Sequence, residues 1–471
     1  MTRLVWFRND LRIIDNTALF NACHDQHVKI IAVYIATFKQ WQEHHISVRQ
    51  IAFIHDNLIK LQHNLSELGI PLIYQQCADF SASLDWLKEF CQKQEISEIF
   101  FNRQYELNEL RRDLRLEYII GDKVAIRCFD DSVLLPPGSV LNANNEMYKV
   151  FTPFSHAFIK QLIKTEVCSL PSPKMQKNSL ISINPIPPYL NGIYKSDAFP
   201  PGEKIALAKL RNFCSKNVKN YKKTRDIPAV DGTSCLSPYL AVGVLSPRQC
   251  FNRLRAEHPN LLENRDGAFI WLNELIWREF YRHLIVAHPF LCKNKPFIGW
   301  TERIKWKNNE VMLLAWQQGL TGYPIVDAGM RQLNKMGWMH NRLRMITASF
   351  LVKDLLIDWR KGERYFMTKL LDGDFSANNG GWQWAASTGT DSVPYFRIFN
   401  PITQGKRFDP KGIFIRRWLP ELSKVPDEYI HIPHLWAEEN QKTLNYPLPI
   451  VDHSRARKET LEAFSSAKNM K

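Results

Sequence analysis

The sequence predicts an α/β N-terminal domain, a doubly wound parallel sheet, followed by a larger all-helical C-terminal domain. Three observations carry this reading. Over about the first 130 residues, short β-branched runs alternate with helical periods; a Pro-, Ser- and Asn-rich stretch follows over 134–201; beyond it come long helical periods with few strand-like runs. The domains are accordingly bounded at 1–133 and 202–471, with 134–201 as their connection.

The strands are expected at 4–7, 28–35, 71–75, 98–102 and 124–129, each a short apolar run bounded by polar residues. Between them Ile51, Ile54, Leu58 and Leu61 recur at helical spacing, as do Leu84, Leu87 and Phe90, so each crossover segment can bury one face. After the first strand stand Arg8, Asp10 and Arg12 rather than G-x-G-x-x-G, which argues against a dinucleotide on that turn. The connection contains Pro171, Pro173, Pro185, Pro187 and Pro188 and shows little periodicity. In the helical part, nine of the 14 tryptophans fall between Trp271 and Trp384.

Charge narrows the class of partner. With 62 Lys and Arg against 47 Asp and Glu, the net charge of +15 attracts polyanions, nucleic acid first; a solvated basic surface has the same composition. The nine cysteines form no C-x-x-C pair and no zinc-ligand spacing, so reduced thiols and no metal are expected. The first residues lack the pattern of a signal peptide, and no apolar run approaches bilayer length, which predicts a soluble cytoplasmic protein without a membrane partner.

Four stretches carry candidate chemistry. In W-L-N-E-L-I-W-R-E-F-Y-R, helical spacing puts Trp271, Glu274, Arg278 and Tyr281 on one face, a carboxylate among rings; an amphipathic surface helix with a Glu274–Arg278 pair fits the same residues. In G-W-M-H-N-R-L-R-M a helix is expected to begin after Gly337 and continue to Trp359, with Asn341 and Met345 on one face and Arg342 and Arg344 beside it. That set suits a polyanion or a planar heterocycle, or equally a buried helix with solvated arginines. Asp372 to Trp384 holds two carboxylates, two asparagines, three glycines and two tryptophans in thirteen residues, which reads as a loop. It lacks the EF-hand pattern; close backbone approach at Gly380 and Gly381, with Trp384 as a stacking platform, suits a heterocyclic ligand. Finally, Asp231 to Ser237 puts hydroxyls and N–H groups ahead of a helix beginning near Pro238, where a diphosphate can be cradled or Ser237 can simply cap.

Taken together, W-x-x-E-x-x-W-R-E-F-Y from Trp271 and D-G-D-x-x-x-N-N-G-G-W-Q-W from Asp372 resemble the photolyase and cryptochrome family. The likeness runs from W-F-R-N-D-L-R-I-I-D-N at 6–16 to F-R-I-F-N-P-I-T-Q-G at 396–405 and is nearest to bacterial class I enzymes acting on cyclobutane pyrimidine dimers. It implies light-dependent repair of UV-damaged DNA, in which an electron passes from excited reduced FAD to a flipped-out dimer and then returns. It implies FAD at Tyr221, Thr233, Ser234, Cys235, Leu236, Ser237, Trp271, Arg278, Arg344, Asp372, Gly373, Asp374 and Asn378. Glu274, Asn341, Arg342, Met345 and Asn378 would serve the reaction, with Glu274 bonding the pyrimidine edge. Trp277 and Trp384 would stack on the lesion, while Arg225, Arg342, Arg397 and Gln404 would meet the DNA backbone. Trp382, Trp359 and Trp306 match the family's electron relay. His44, Asn108, Glu109, Cys292 and Lys293 match positions that hold methenyltetrahydrofolate as an antenna; read alone, Asn108 and Glu109 are a helix cap and first turn. The resemblance also implies a monomer without an obligate protein partner. Cys235 departs from it, standing where relatives commonly have Arg, which removes a cation near the flavin phosphates. A cryptochrome-type photoreceptor and a six-four photolyase are the alternatives; Asn378 and Met345 favour cyclobutane repair.

Overall fold

The computed structural model describes residues 2–176, 185–187 and 197–470; of the prolines in the connection, Pro188 lies outside them. The N-terminal part forms one five-stranded sheet of order β3-β2-β1-β4-β5, made of β1 (Thr2–Phe7), β2 (Lys29–Thr37), β3 (Leu72–Cys77), β4 (Ile96–Asn102) and β5 (Ala125–Phe129). All pairings are parallel. All five strands fall where the sequence puts them, because parallel strands covered on both faces read as continuous apolar runs. Leu4, Val5, Ala32, Val33 and Ile99 are completely buried.

Parallel neighbours need crossovers, and the helices Val48–Glu67, Phe80–Lys93 and Leu107–Ile120 supply them between successive strands from β2 onward. The strand order reverses between β1 and β4, and such a reversal opens a crevice at the carboxyl ends of those strands. Its floor is closed by side chains: Asn102, ending β4, donates to Asp10 Oδ2 at 2.7 Å and to Asn16 Oδ1 at 2.9 Å. The rest of the 6–16 motif is structural too. Arg248 reaches Asp15 Oδ1 at 3.0 Å and Asp131 Oδ1 at 2.7 Å, and Arg12 also pairs with Asp131. Burial opposes ionisation of Asp131, yet the guanidiniums of Arg12 and Arg248 hold its carboxyl well below the usual range.

The remainder is helical among the described residues, and the chain divides into two compact units. One comprises Met1–Lys219, Ser234–Cys292 and Leu371–Asp374; the other comprises Asn220–Thr233, Lys293–Leu370 and Phe375–Lys471.

Three local expectations are corrected. The connection contains a 14-residue helix, Phe151–Lys164, whose Phe154, Phe158 and Leu162 are buried at four-residue spacing. Turn-forming residues on either side dilute that period. The segment read as a loop is helical over Phe375–Ala386: Asn and Gly disfavour helix, but burial of Trp382, Gln383 and Ala386 overrides the propensity. Lastly, the helix after Gly337 does not run to Trp359. It spans Asn341–Ser349, passes into a π turn at Phe350–Asp354, and a new helix begins at Trp359.

Candidate flavin, lesion and antenna sites

In the first unit the helix Gly267–Ala287 is capped by Asp266, whose Oδ1 accepts from Ala268 N at 2.9 Å. Its first residue must be glycine, since a Cβ there would meet the Val218 carbonyl at 2.0 Å. Leu272, Leu275, Ile276 and Phe280 turn into the core, leaving Glu274, Trp277, Arg278 and Tyr281 half-buried along one stripe. Trp271, buried, leans on Phe213 with centroids 5.1 Å apart. Trp277 lies flat on Phe151 of the helix Phe151–Lys164, centroids 3.7 Å apart and planes 4° from parallel. Arg278 Nη1 donates to the Ser132 carbonyl at 2.7 Å. The sequence singles out Glu274 as the carboxylate among rings; the fully buried one on this helix is Glu279. Burial pushes its carboxyl up to about 7 against the pull of Arg278 and Arg282, and it accepts from Leu134 N at 3.0 Å.

The acidic segment Asp372 to Asp374 is suspended from both sides. Gln50 Nε2 donates to the Gly373 carbonyl at 2.7 Å, and Arg282 Nη2 donates to Asp374 Oδ2 at 2.5 Å. Sequence reading missed Arg282 as the partner that holds Asp374; its only signal is its place four residues after Arg278, one helical turn along. Ser234, Cys235 and Leu236 lead into the short helix Ser237–Ala241, with Cys235 in the left-handed region at φ 49°. The capping position is Leu236, so Ser237 is not the cap.

The second unit carries the other implied residues. Tyr221 is buried beneath Arg225, whose guanidinium carbon stands 5.5 Å from the ring centre. At the start of the helix Asn341–Ser349, Asn341 is exposed and Arg342 is fixed twice: Nη2 and Nε reach Asp226 Oδ1 at 2.8 and 3.2 Å, and its guanidinium covers Phe408 at 4.4 Å. Arg344 Nε donates to the Met339 carbonyl at 2.9 Å, and Met345 is half-buried on the following turn. Asn378 Nδ2 donates to the Glu363 carbonyl at 3.0 Å, and burial pushes the Glu363 carboxyl up to about 7. Trp382 and Trp359 sit inside one apolar core while Trp306 packs at its margin, its edge toward Phe464 at 6.0 Å. Thr233, Trp384 and Gln404 are half-buried, and Arg397 and Lys293 are exposed.

Four of the five antenna positions belong to the first unit. His44 Nε2 lies 3.1 Å from Asn108 Nδ2 and 2.9 Å from Gln40 Nε2, both N–H donors, so the ring proton sits on Nδ1 and faces Glu109 Oε1 at 3.4 Å. Glu106, not Asn108, precedes the helix Leu107–Ile120, which frees the Asn108 amide for His44. Glu109 is buried, burial pushes its carboxyl up, and its Oε2 has no partner among the described residues. The Cys292 sulfur accepts from Leu107 N, and burial pushes the thiol up to about 11. Lys293 falls in the second unit.

All nine cysteines are free thiols. Among the described residues no helix is long and apolar enough to cross a membrane.

Comparison with known proteins gives the family of the chain. Residues 3–174 match the family model described as DNA photolyase, and residues 271–466 match that described as the FAD binding domain of DNA photolyase. A protein of Escherichia coli strain K12 named deoxyribodipyrimidine photo-lyase is 54% identical over 474 residues, covering 100% of both chains. Its namesake in Vibrio cholerae is 47% identical and covers 99% of this chain and 100% of its own. Among solved structures, a bacterial class III photolyase from Agrobacterium tumefaciens superposes with a TM-score of 0.88 at 33% identity, over 100% of this chain and 98% of its own. A cryptochrome from Synechocystis superposes with a TM-score of 0.86 at 29% identity, over 98% of this chain and 99% of its own.

Proposed function

Since this chain belongs to the DNA photolyase family, carries its FAD-binding domain and repairs pyrimidine dimers with light, we propose that the helix Gly267–Ala287 is where flavin and lesion are brought together. One observation carries the proposal: a single half-buried stripe presents Glu274, Trp277, Arg278 and Tyr281, with Trp271 buried beside it. A rigid helix fixes the spacing of a cation, a carboxylate and flat apolar faces, which positions two planar ligands without loop motion.

The donor set suits FAD. Arg278 and Arg344 supply cations for the diphosphate, Thr233, Ser234 and Ser237 supply hydroxyls, and Asp372 and Asp374 accept from ribose or ring N–H groups. Cys235 adds no charge where a cation would help. Bound and reduced, FAD supplies the photo-excited electron that opens the cyclobutane ring.

The chain's own residues do the rest. Glu274 takes the polar edge of the flipped pyrimidines; Trp277 and Trp384 offer their faces; Asn341 and Met345 border the lesion. Asn378 holds a polar contact beside the flavin, and Arg225, Arg342, Arg397 and Gln404 hold the DNA strand. A dimer stacks poorly in the duplex, so its extrusion costs less than that of a normal pair, and selectivity begins there. Trp306, Trp359 and Trp382 relay electrons inward, from the surface to the oxidised flavin. The buried Glu109 Oε2, without a partner among the described residues, is an acceptor suited to the N–H edge of a pterin, which supports a methenyltetrahydrofolate antenna at His44, Asn108, Glu109, Cys292 and Lys293. The protein is proposed to act in the cytoplasm as a monomer. The residue type at Met345 favours the cyclobutane lesion over the six-four product, as the resemblance implies.

The test is direct. The purified protein should show flavin and folate absorption and should remove thymine dimers from an irradiated oligonucleotide in light but not in darkness. A flavin-loaded protein that leaves dimers intact in light would refute the reading.

A further inference from the structure

We propose that His340 is a positioning residue for DNA binding: its ring fixes the backbone from which Asn341 and Arg342 project. The inference rests on the reading that Arg342 meets the DNA strand.

The geometry is a corner between two helices. The helix Pro324–Met336 ends at Gly337 in the left-handed region, φ 68°, and the chain turns into Asn341–Ser349. His340 occupies that turn with 3% of its surface exposed. Its backbone N–H donates to Gln332 Oε1 at 3.1 Å, which ties the corner to the preceding helix. Its Nδ1 accepts from Arg342 N at 3.1 Å, and its carbonyl accepts from Leu343 N at 2.9 Å and Arg344 N at 3.1 Å. The imidazole thus takes the Arg342 N–H, which would otherwise be unpaired at the start of the next helix, while the carbonyl takes two more N–H groups as the backbone of any capping residue does.

Accepting at Nδ1 places the ring proton on Nε2, and that N–H is buried with no partner among the described residues. An unpaired buried donor is costly, so the ring does not stand there for its own stability. What it supplies is a bare nitrogen aimed at Arg342. The groups acting on the ring are Asp226, Arg342, Arg344 and Arg225. Protonation would turn the acceptor into a donor and release Arg342; burial opposes this by pushing the imidazole down to about 4, so the cap persists at neutral pH.

Asparagine can replace the acceptor while alanine cannot. Dissociation constants for a dimer-containing oligonucleotide should be measured for His340→Ala, His340→Asn and Arg342→Ala, beside flavin content and the repair rate at saturating DNA. His340→Ala should bind roughly 2- to 30-fold more weakly, the range expected from a lost cap, with flavin content unchanged and the saturated rate falling by less than the affinity. His340→Asn should recover most of the loss. Unchanged binding in His340→Ala, a loss that asparagine does not repair, or failure of both histidine variants to accumulate as flavin-loaded protein would each overturn the proposal. Unchanged binding in Arg342→Ala would instead remove the reading of Arg342 on which it rests.

Discussion

The six-membered edge of the Trp382 indole fills the space that a side chain on Gly362 would need: a Cβ there would stand 2.2 Å from Trp382 Cη2. The helices Trp359–Lys369 and Phe375–Ala386 approach through this pair. Gly362→Ala should therefore cost about 1–3 kcal/mol, as overpacking of a core does. Thermal denaturation will read that loss, and light-driven reduction of bound flavin should slow because Trp382 is displaced.

The relay makes a separable prediction. Trp382→Phe should abolish photoreduction of oxidised flavin yet leave repair intact when the flavin is reduced chemically beforehand. Normal photoreduction in that variant would remove Trp382 from the path.

Glu274 is proposed to stabilise transient negative charge on the pyrimidines. Glu274→Gln keeps a donor and an acceptor but loses the carboxyl, so the quantum yield of dimer splitting should fall to a fraction of its normal value without vanishing. An unchanged yield would deny Glu274 its role.

Glu363 sets a pH dependence. Its folded value is about 7 against 4.5 in water, a difference worth about 3 kcal/mol. The raised value means the fold prefers the neutral acid, so that stability is fully present below about 4.5 and is lost as pH rises through about 7. Melting temperatures between pH 5 and 8 should accordingly depend less on pH in Glu363→Gln than in the parent, and the variant should be the more stable of the two at pH 8.

At the proposed antenna site, Glu109→Ala removes the buried acceptor and should deplete the folate absorption band while leaving flavin content and repair by direct flavin excitation intact. Equal folate content in both proteins, measured by difference spectroscopy, would exclude that acceptor.

Legibility in the sequence follows physical cause. The five strands were plain because burial on both faces leaves β-branched runs that few other elements share. The helix Gly267–Ala287 was equally plain from its spacing. The helix Phe375–Ala386 was hidden because Asn378, Asn379, Gly380 and Gly381 are poor helix formers, held in place by packing around Trp382 that no local signal reports. Residue types at the candidate sites were readable; their holders were not. Arg282 reaches Asp374 across 92 residues, and Gln50 reaches Gly373 across 323, distances over which one sequence offers no pairing information. His340 carries no local signal, because a histidine between two helices reads as ordinary core.

The way the chain alternates between its two units also constrains how the molecule can be built. The backbone changes unit at 219/220, 233/234, 292/293, 370/371 and 374/375, so any single cut leaves at least one unit incomplete. Gly373 and Asp374 are supplied to the first unit from deep within sequence that otherwise builds the second. A ribosome must therefore synthesise at least residue 374 before the first unit is complete, which ties maturation of the acidic segment to near-completion of the chain.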